Sequence, residues 1–389
     1  MAVVDVVIIF SLPTSPGIFY YNLELLKRVK VSNMTILVTI PYRWRDYSSR
    51  LIINELNSLI KLSERSNVDI VFGGKINKIF MKPLLRGFLW RLSVVENFLK
   101  AVSNGDVIHF TWAWKNYFLR YLKLVDKKIV TTVYDVIPLK LMFKEYSPER
   151  FSRHVYFWRR SNVITTISYS SKKDLASLGV DENKIFVIYP GVDRDVFHPM
   201  DKQKAREVLG LPLDRKIILY VGSLEPKRAI PMKAVLKAFR SLSKWHKDLM
   251  LVIAGAFKYV EEMRGDRIIV FRNPSREKIS LLYSSADVFI FPTLYEGFGM
   301  PPLEAMSCGT PVIVPYNSSL PEVVKDAGIY VKDPLDSEGW REAIEAIILD
   351  ENLRRELEKK SISRSKNSLF DWDTSASILE TAYEMALRW

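Results

Sequence analysis

Short apolar runs separated by amphipathic stretches recur along the whole chain, and no other feature restricts the fold as much. In the first half they occupy 3–10 (VVDVVIIF), 34–40, 69–73, 107–112, 129–136, 163–168 and 185–189. In the second half they occupy 216–222 (KIILYVG), 249–255, 267–271, 287–292, 311–315 and 328–332. Such runs lack the in-and-out alternation of a half-exposed strand, so they fit strands covered on both faces. Helical stretches between them are the crossovers that parallel strands need. Two series therefore predict an α/β protein of two Rossmann-like domains. Pro190, Gly191 and Pro199 punctuate the junction, which places the first domain at 1–192 and the second at 193–371. The final stretch, 372–389, has an apolar stripe of Ile378, Leu379, Ala382, Met385, Ala386 and Trp389 at helical spacing. No strand follows it, so it is expected to cross back onto the first domain. Ligands of such sheets bind beyond the carboxyl ends of the strands, and two facing domains enclose a cleft there.

Composition narrows the class. Of 389 residues, 48% are hydrophobic and 26% charged, which is globular rather than disordered. A single cysteine, Cys308, excludes an internal disulfide and suits a reducing compartment. No stretch approaches 18 uninterrupted apolar residues. Met1–Phe10 is apolar but has no basic leader and carries Asp5, so it reads as a buried strand and the expected location is the cytoplasm. The net charge of +13 is one-sided. Residues 1–190 hold 28 Lys and Arg against 15 Asp and Glu, and the remainder holds 57−28 = 29 against 44−15 = 29. An anionic partner of the first half, or a solvated basic surface, accounts for that excess.

The stretch 292–322, PTLYEGFGMPPLEAMSCGTPVIVPYNSSLPE, carries the most chemistry. It starts where a strand ends. Gly297 and Gly299 let backbone approach a ligand closely. Pro301 and Pro302 fit the first turn of a helix, whose free N–H groups and positive dipole end suit a diphosphate. Glu304 is expected in that first turn, where its carboxylate can bridge a vicinal diol such as a ribose. Glu296 lies on the loop itself.

This segment resembles the E-x7-E region of retaining glycosyltransferases of family 4, with Glu296 and Glu304 as the two glutamates. Residues 163–193, 219–230 (LYVGSLEPKRAI) and 369–389 resemble the family's pre-linker, donor-phosphate and crossover segments. The resemblance implies a GT-B fold and transfer of a hexose from a nucleoside-diphosphate sugar to a glycan or lipid-linked acceptor. It implies retention without a metal or other cofactor, the leaving diphosphate itself taking the acceptor proton. Glu296 would contact the donor sugar and Glu304 the ribose. The amides of Gly297, Phe298, Gly299 and Met300 would meet the sugar and diphosphate, with Gly222 and Ser223 lining the phosphates. Lys227 and Arg228 match the family's basic pair in reversed order, and Ser223 stands where many members have arginine. Tyr134-Asp135 stands where many have His-Asp. Glu296, Lys227, Arg228 and Asp135 are the residues assigned to catalysis, and Gly17 and Tyr134 those expected toward the acceptor; His109 ends a buried-looking strand and either lines the cleft with them or is a satisfied structural histidine.

Other signals are weaker. Asp193-Arg194-Asp195 and Asp371-Trp372-Asp373 read DxD, but they fall at a linker and a helix start, where aspartates cap. The four histidines show no zinc spacing. The stretch 75–100 is basic and aromatic, with Lys78, Lys82 and Arg86 beside an apolar face of Leu84, Leu85, Phe88, Leu92, Val95 and Leu99. It fits either a core helix or peripheral docking on an anionic membrane at its inner face. Nucleic acid is not an expected partner. Two rival functions stay open: a GT-B nucleotide-sugar epimerase, and an inactive binder of sugar nucleotides or nucleic acid.

Overall fold

The computed structural model describes residues 4–11, 16–39, 57–73, 95–111, 126–141, 148–224, 226–256 and 265–389. Each apolar run becomes a parallel strand. The first unit holds β1 (Asp5–Ser11), β2 (Asn33–Thr39), β3 (Val68–Gly73), β4 (Val107–Phe110), β5 (Lys128–Thr132), β6 (Val163–Thr166) and β7 (Ile185–Val187). The second holds β8 (Lys216–Val221), β9 (Leu249–Gly255), β10 (Ile268–Arg272), β11 (Val288–Ile290), β12 (Val312–Pro315) and β13 (Gly328–Val331). The chain divides into 1–136, 143–189 and 372–389 on one side and 137–142 and 190–371 on the other.

The first sheet has the order β3-β2-β1-β4-β5-β6-β7 and the second β10-β9-β8-β11-β12-β13. In each, one strand is flanked by two that leave in opposite directions. Those strands are β1, whose Val6 pairs with Met34 and Val107, and β8, whose Ile218 pairs with Leu251 and Val288. This is the topological switch point, where crossovers part and leave a crevice at the carboxyl ends.

Strand residues such as Ile8, Phe10, Ile218, Leu251 and Ile313 are completely buried, which is why these runs need no polar alternation. Helix starts follow from local chemistry: Ser168, Asp201, Ser275 and Asp350 each accept an amide of the first helical turn. The Pro226–Trp245 helix packs against the Ser337–Leu349 helix.

The terminal Trp372–Arg388 helix belongs to the first unit. It packs on the Pro16–Arg28 helix, with Trp372 edge-on to the rings of Tyr20 and Tyr21. Ser375 donates to the Tyr189 carbonyl and Asp373 pairs with Arg28 at 3.3 Å. Its buried stripe is Trp372, Ser375, Ala376, Leu379, Ala382, Tyr383 and Ala386. The last member of the expected stripe is only partly covered: Trp389 is 42% exposed, with its ring centroid 6.4 Å from that of Phe186. Most of 75–100 lies outside the described residues. In the part described, Phe98 is the core residue and Leu99 is 41% exposed. Among the described residues no helix is long and apolar enough to cross a membrane.

Candidate functional site

In the second unit one group of charged side chains meets just past the ends of β8 and β11. β8 ends at Val221, and Gly222 follows with φ +156°. A Cβ there would lie 2.9 Å from the Tyr220 hydroxyl and 3.1 Å from Arg228 Nη1, so glycine keeps room for the arginine. The Pro226–Trp245 helix starts just beyond and places Lys227 and Arg228 in its first turn. From the adjacent β11 the chain runs through Thr293 to Glu296. Arg228 Nε donates to Glu296 Oε1 at 2.8 Å and Lys227 Nζ to Oε2 at 3.3 Å. Thr293 Oγ1 donates to Oε1 at 3.0 Å. The Arg228 guanidinium lies over the Phe291 ring, 4.8 Å from its centroid, which fixes the fork from behind.

Glu296 is 6% exposed. Burial pushes its carboxyl upward, but the charges of Arg228 and Lys227 and the hydrogen bonds of Arg228 and Thr293 outweigh it and hold the group below its ordinary range. Two cations against one carboxylate sum to one positive charge.

Glu304 behaves oppositely. It sits on the Met300–Ser307 helix, in the second turn rather than the expected first, because the helix begins at Met300 with Gly299 as its cap. Gly299 has φ +116°, a conformation open to glycine. Burial pushes the Glu304 carboxyl up to about 7, against the Arg276 charge and the Tyr283 hydrogen bond, with Asp193 adding to the rise. Tyr283 donates to Glu304 Oε2 at 3.2 Å, and Arg276 is held by Asp193 at 3.2 Å. The two acids thus stand in opposite states, one kept ionised by cations and the other poised near neutrality.

The structure thus brings Glu296, Lys227, Arg228, Gly222, Ser223 and the loop Gly297–Met300 together in the second unit. Asp135 lies in the first unit, partly exposed, three residues past β5. Two of the residues considered for the acceptor side, His109 and Tyr134, are enclosed instead. His109 is 2% exposed. Its Nδ1 meets the Tyr383 hydroxyl and its Nε2 meets Thr132 Oγ1, both at 2.7 Å, and burial lowers its pKa to about 3. It is a neutral brace between strand and terminal helix. Tyr134 is equally enclosed: its hydroxyl accepts from Asn22 Nδ2 and donates to the Thr111 carbonyl, both at 2.6 Å. Gly17 is the second residue of the Pro16–Arg28 helix and is exposed, and a Cβ there would meet nothing within 4 Å.

Three of the four DxD aspartates are in ion pairs. Asp193 takes Arg276, Asp371 takes Arg194 at 3.4 Å, and Asp373 takes Arg28. Among the described residues no group of three or more potential metal ligands forms. Cys308 is buried, with Sγ 3.7 Å from Ser280 Oγ. Sequence reasoning did not single out Thr293, Asn317, Ser318 and Ser319, which touch the Glu296 loop, or Tyr283 and Arg276, which surround Glu304. Only the polar run Asn317-Ser318-Ser319 after a strand hinted at them.

The chain is similar to several known proteins. Residues 201–364 match the family model described as Glycosyl transferases group 1, and residues 45–196 match Glycosyltransferase Family 4. The O-antigen chain mannosyltransferase RfbU of Salmonella typhimurium is 26% identical over 314 residues, 74% of this chain and 84% of that one. The D-inositol 3-phosphate glycosyltransferase of Mycobacterium tuberculosis is 29% identical over 241 residues, 58% of this chain and 48% of that protein, so this chain spans about half of it. Among solved structures, Anabaena Alr3699/HepE in complex with UDP has a TM-score of 0.76 at 17% identity, covering 97% of this chain and 99% of that one. WaaG, a glycosyltransferase involved in lipopolysaccharide biosynthesis, has a TM-score of 0.68 at 15% identity, with coverage of 97% and 99%. Two adjoining family models and a full-length likeness in fold agree: the chain belongs to the family 4 glycosyltransferases and has their GT-B fold.

Proposed function

We propose that this glycosyltransferase moves a hexose from a nucleoside-diphosphate sugar to a glycan or lipid-linked acceptor, with retention and without a metal ion. The observation that carries the reading is the closure of Lys227 and Arg228 on the single carboxylate of Glu296. Two cations on one carboxylate leave a net positive charge of the kind that stabilises a diphosphate. The names of the similar proteins, a mannosyltransferase and an inositol phosphate glycosyltransferase, support hexose transfer. The UDP and UDP-glucose complexes of HepE support a nucleotide-sugar donor.

The roles follow from the charges. Glu304, desolvated when free, accepts the two ribose hydroxyls and regains the hydrogen bonds that burial removed. Glu296, ionised, holds a hydroxyl of the donor sugar. As the bond from the anomeric carbon to the diphosphate oxygen breaks, Lys227 and Arg228 stabilise the charge that builds on the leaving group. The acceptor oxygen bonds to the same face of that carbon, and its proton passes to the departing diphosphate oxygen. Asp135 stands on the acceptor side. A cytoplasmic enzyme at the inner membrane face suits a lipid-linked acceptor.

A panel of UDP-glucose, UDP-N-acetylglucosamine, ADP-glucose and GDP-mannose tests the donor. One of them should raise the thermal midpoint, since only a ligand of the native state does so, and should release nucleoside diphosphate with EDTA present. Absence of any shift would sink the donor assignment. Loss of turnover with EDTA and rescue by manganese would overturn metal independence, and an inverted product anomer would overturn retention.

A further inference from the structure

Beyond β12 the chain lays three consecutive side chains against the Glu296 loop. Asn317 Nδ2 donates to the carbonyls of Thr293 and Leu294, both at 3.2 Å. The Glu296 amide donates to Ser318 Oγ at 3.0 Å, and that hydroxyl donates to Asn317 Oδ1 at 3.0 Å. Ser319, completely buried, shares its hydroxyl proton between the carbonyls of Phe298 at 2.6 Å and Glu296 at 3.1 Å.

Two features set this apart from ordinary loop packing. Ser318 has φ +49°, a left-handed conformation that disfavours any residue with a Cβ. Glycine would adopt it without strain, but glycine has no side chain to receive the Glu296 amide. The second feature is peptide geometry. In a trans peptide the N–H points opposite to the C=O of the same plane. The carbonyls of Glu296 and Phe298 are turned toward Ser319, so the amides of Gly297 and Gly299 are turned away from it.

We propose that Ser318 and Ser319 are positioning residues for the donor: Ser318 anchors the backbone of Glu296, and Ser319 rotates two peptide planes so that the Gly297 and Gly299 amides face the sugar diphosphate. This rests on the reading that the donor occupies the Glu296 loop. The strain at Ser318 is then retained because the hydroxyl aligns the loop.

Ser318→Gly separates positioning from stability. It removes the strain together with the anchor, so the thermal midpoint should hold or rise while kcat falls about tenfold, the order expected for one buried hydrogen bond. Ser319→Ala should speed hydrogen exchange of the Gly297–Gly299 amides in the free protein and lower kcat/KM about tenfold or more. Turnover is read with UDP-glucose and GDP-mannose, and Glu296→Ala is measured in parallel. If Ser318→Gly gains stability and keeps kcat while Glu296→Ala loses turnover, the positioning role is overturned and the donor site stands. If all three variants keep turnover, the donor site itself is misplaced. Where Ser319→Ala fails to fold, Ser318→Gly still decides.

Discussion

The two sheets bury polar side chains near their carboxyl ends in different ways. Across β4, β5 and β6 the first unit runs a chain from the Tyr383 hydroxyl through His109 to Thr132 and Thr165, each link 2.7 Å long. Every member is neutral, and each takes its partner from within the unit. The second unit sets Lys227, Arg228 and Glu296 at the ends of β8 and β11, three charges that do not cancel. A neutral network that closes on itself is finished when the chain has folded. A charged one with an odd count suits the anionic donor proposed above. A histidine near a strand end and a glutamate near a strand end thus look alike in a sequence, and their partners separate them.

Breaking each network should be told apart by turnover. Glu296→Gln should cost about 10²–10³-fold in kcat, the scale of a lost electrostatic contact in a transition state, and some stability as well, because Lys227 and Arg228 lose the carboxylate they face. Steady-state kinetics beside denaturant melts check this, and unchanged turnover would end the contrast. Glu304→Gln tests the poised carboxyl. Its native pKa, about 7, exceeds its ordinary 4.5. Below 4.5 both states hold the proton and nothing is lost. Between 4.5 and 7 the unfolded chain releases it first, so stability falls as pH rises, and above 7 the full penalty of about 3 kcal/mol remains. The variant should therefore be the more stable protein at pH 8 and equal at pH 4, while binding nucleotide more weakly. Identical pH profiles of the two proteins would remove Glu304 from this account.

His109→Leu should instead spare turnover. It strands the Tyr383 hydroxyl at about 1–3 kcal/mol and leaves kcat per folded enzyme within about twofold, the spread of a surface change. A collapse of kcat in a stable variant would return His109 to the active site. The smallest effect per residue belongs to the basic stretch of the first half. Lys78, Lys82 and Arg86 lie outside the described residues, and their charge alone supports docking on acidic lipid at about 1 kcal/mol each. Vesicles rich in phosphatidylserine should pellet the wild type at low salt and release the triple glutamate variant. Equal pelleting would make the charge excess a solubility feature.

The sequence by itself determined the elements. All thirteen apolar runs are strands, because burial on both faces writes itself into local composition. The glycines and prolines around Glu296 marked a loop entering a helix, because backbone conformation at such residues is restricted locally. Tertiary structure decided what each polar group meets. Glu296 finds Arg228 across 68 residues and the Ser318 hydroxyl across 22, and His109 finds Tyr383 across 274. Those separations carry no periodic signal. Glu304 and Glu296 are the same residue type eight positions apart, yet one is pushed up to about 7 and the other held low. Desolvation and neighbouring charge set that difference, and both exist only once the strands have brought the side chains together.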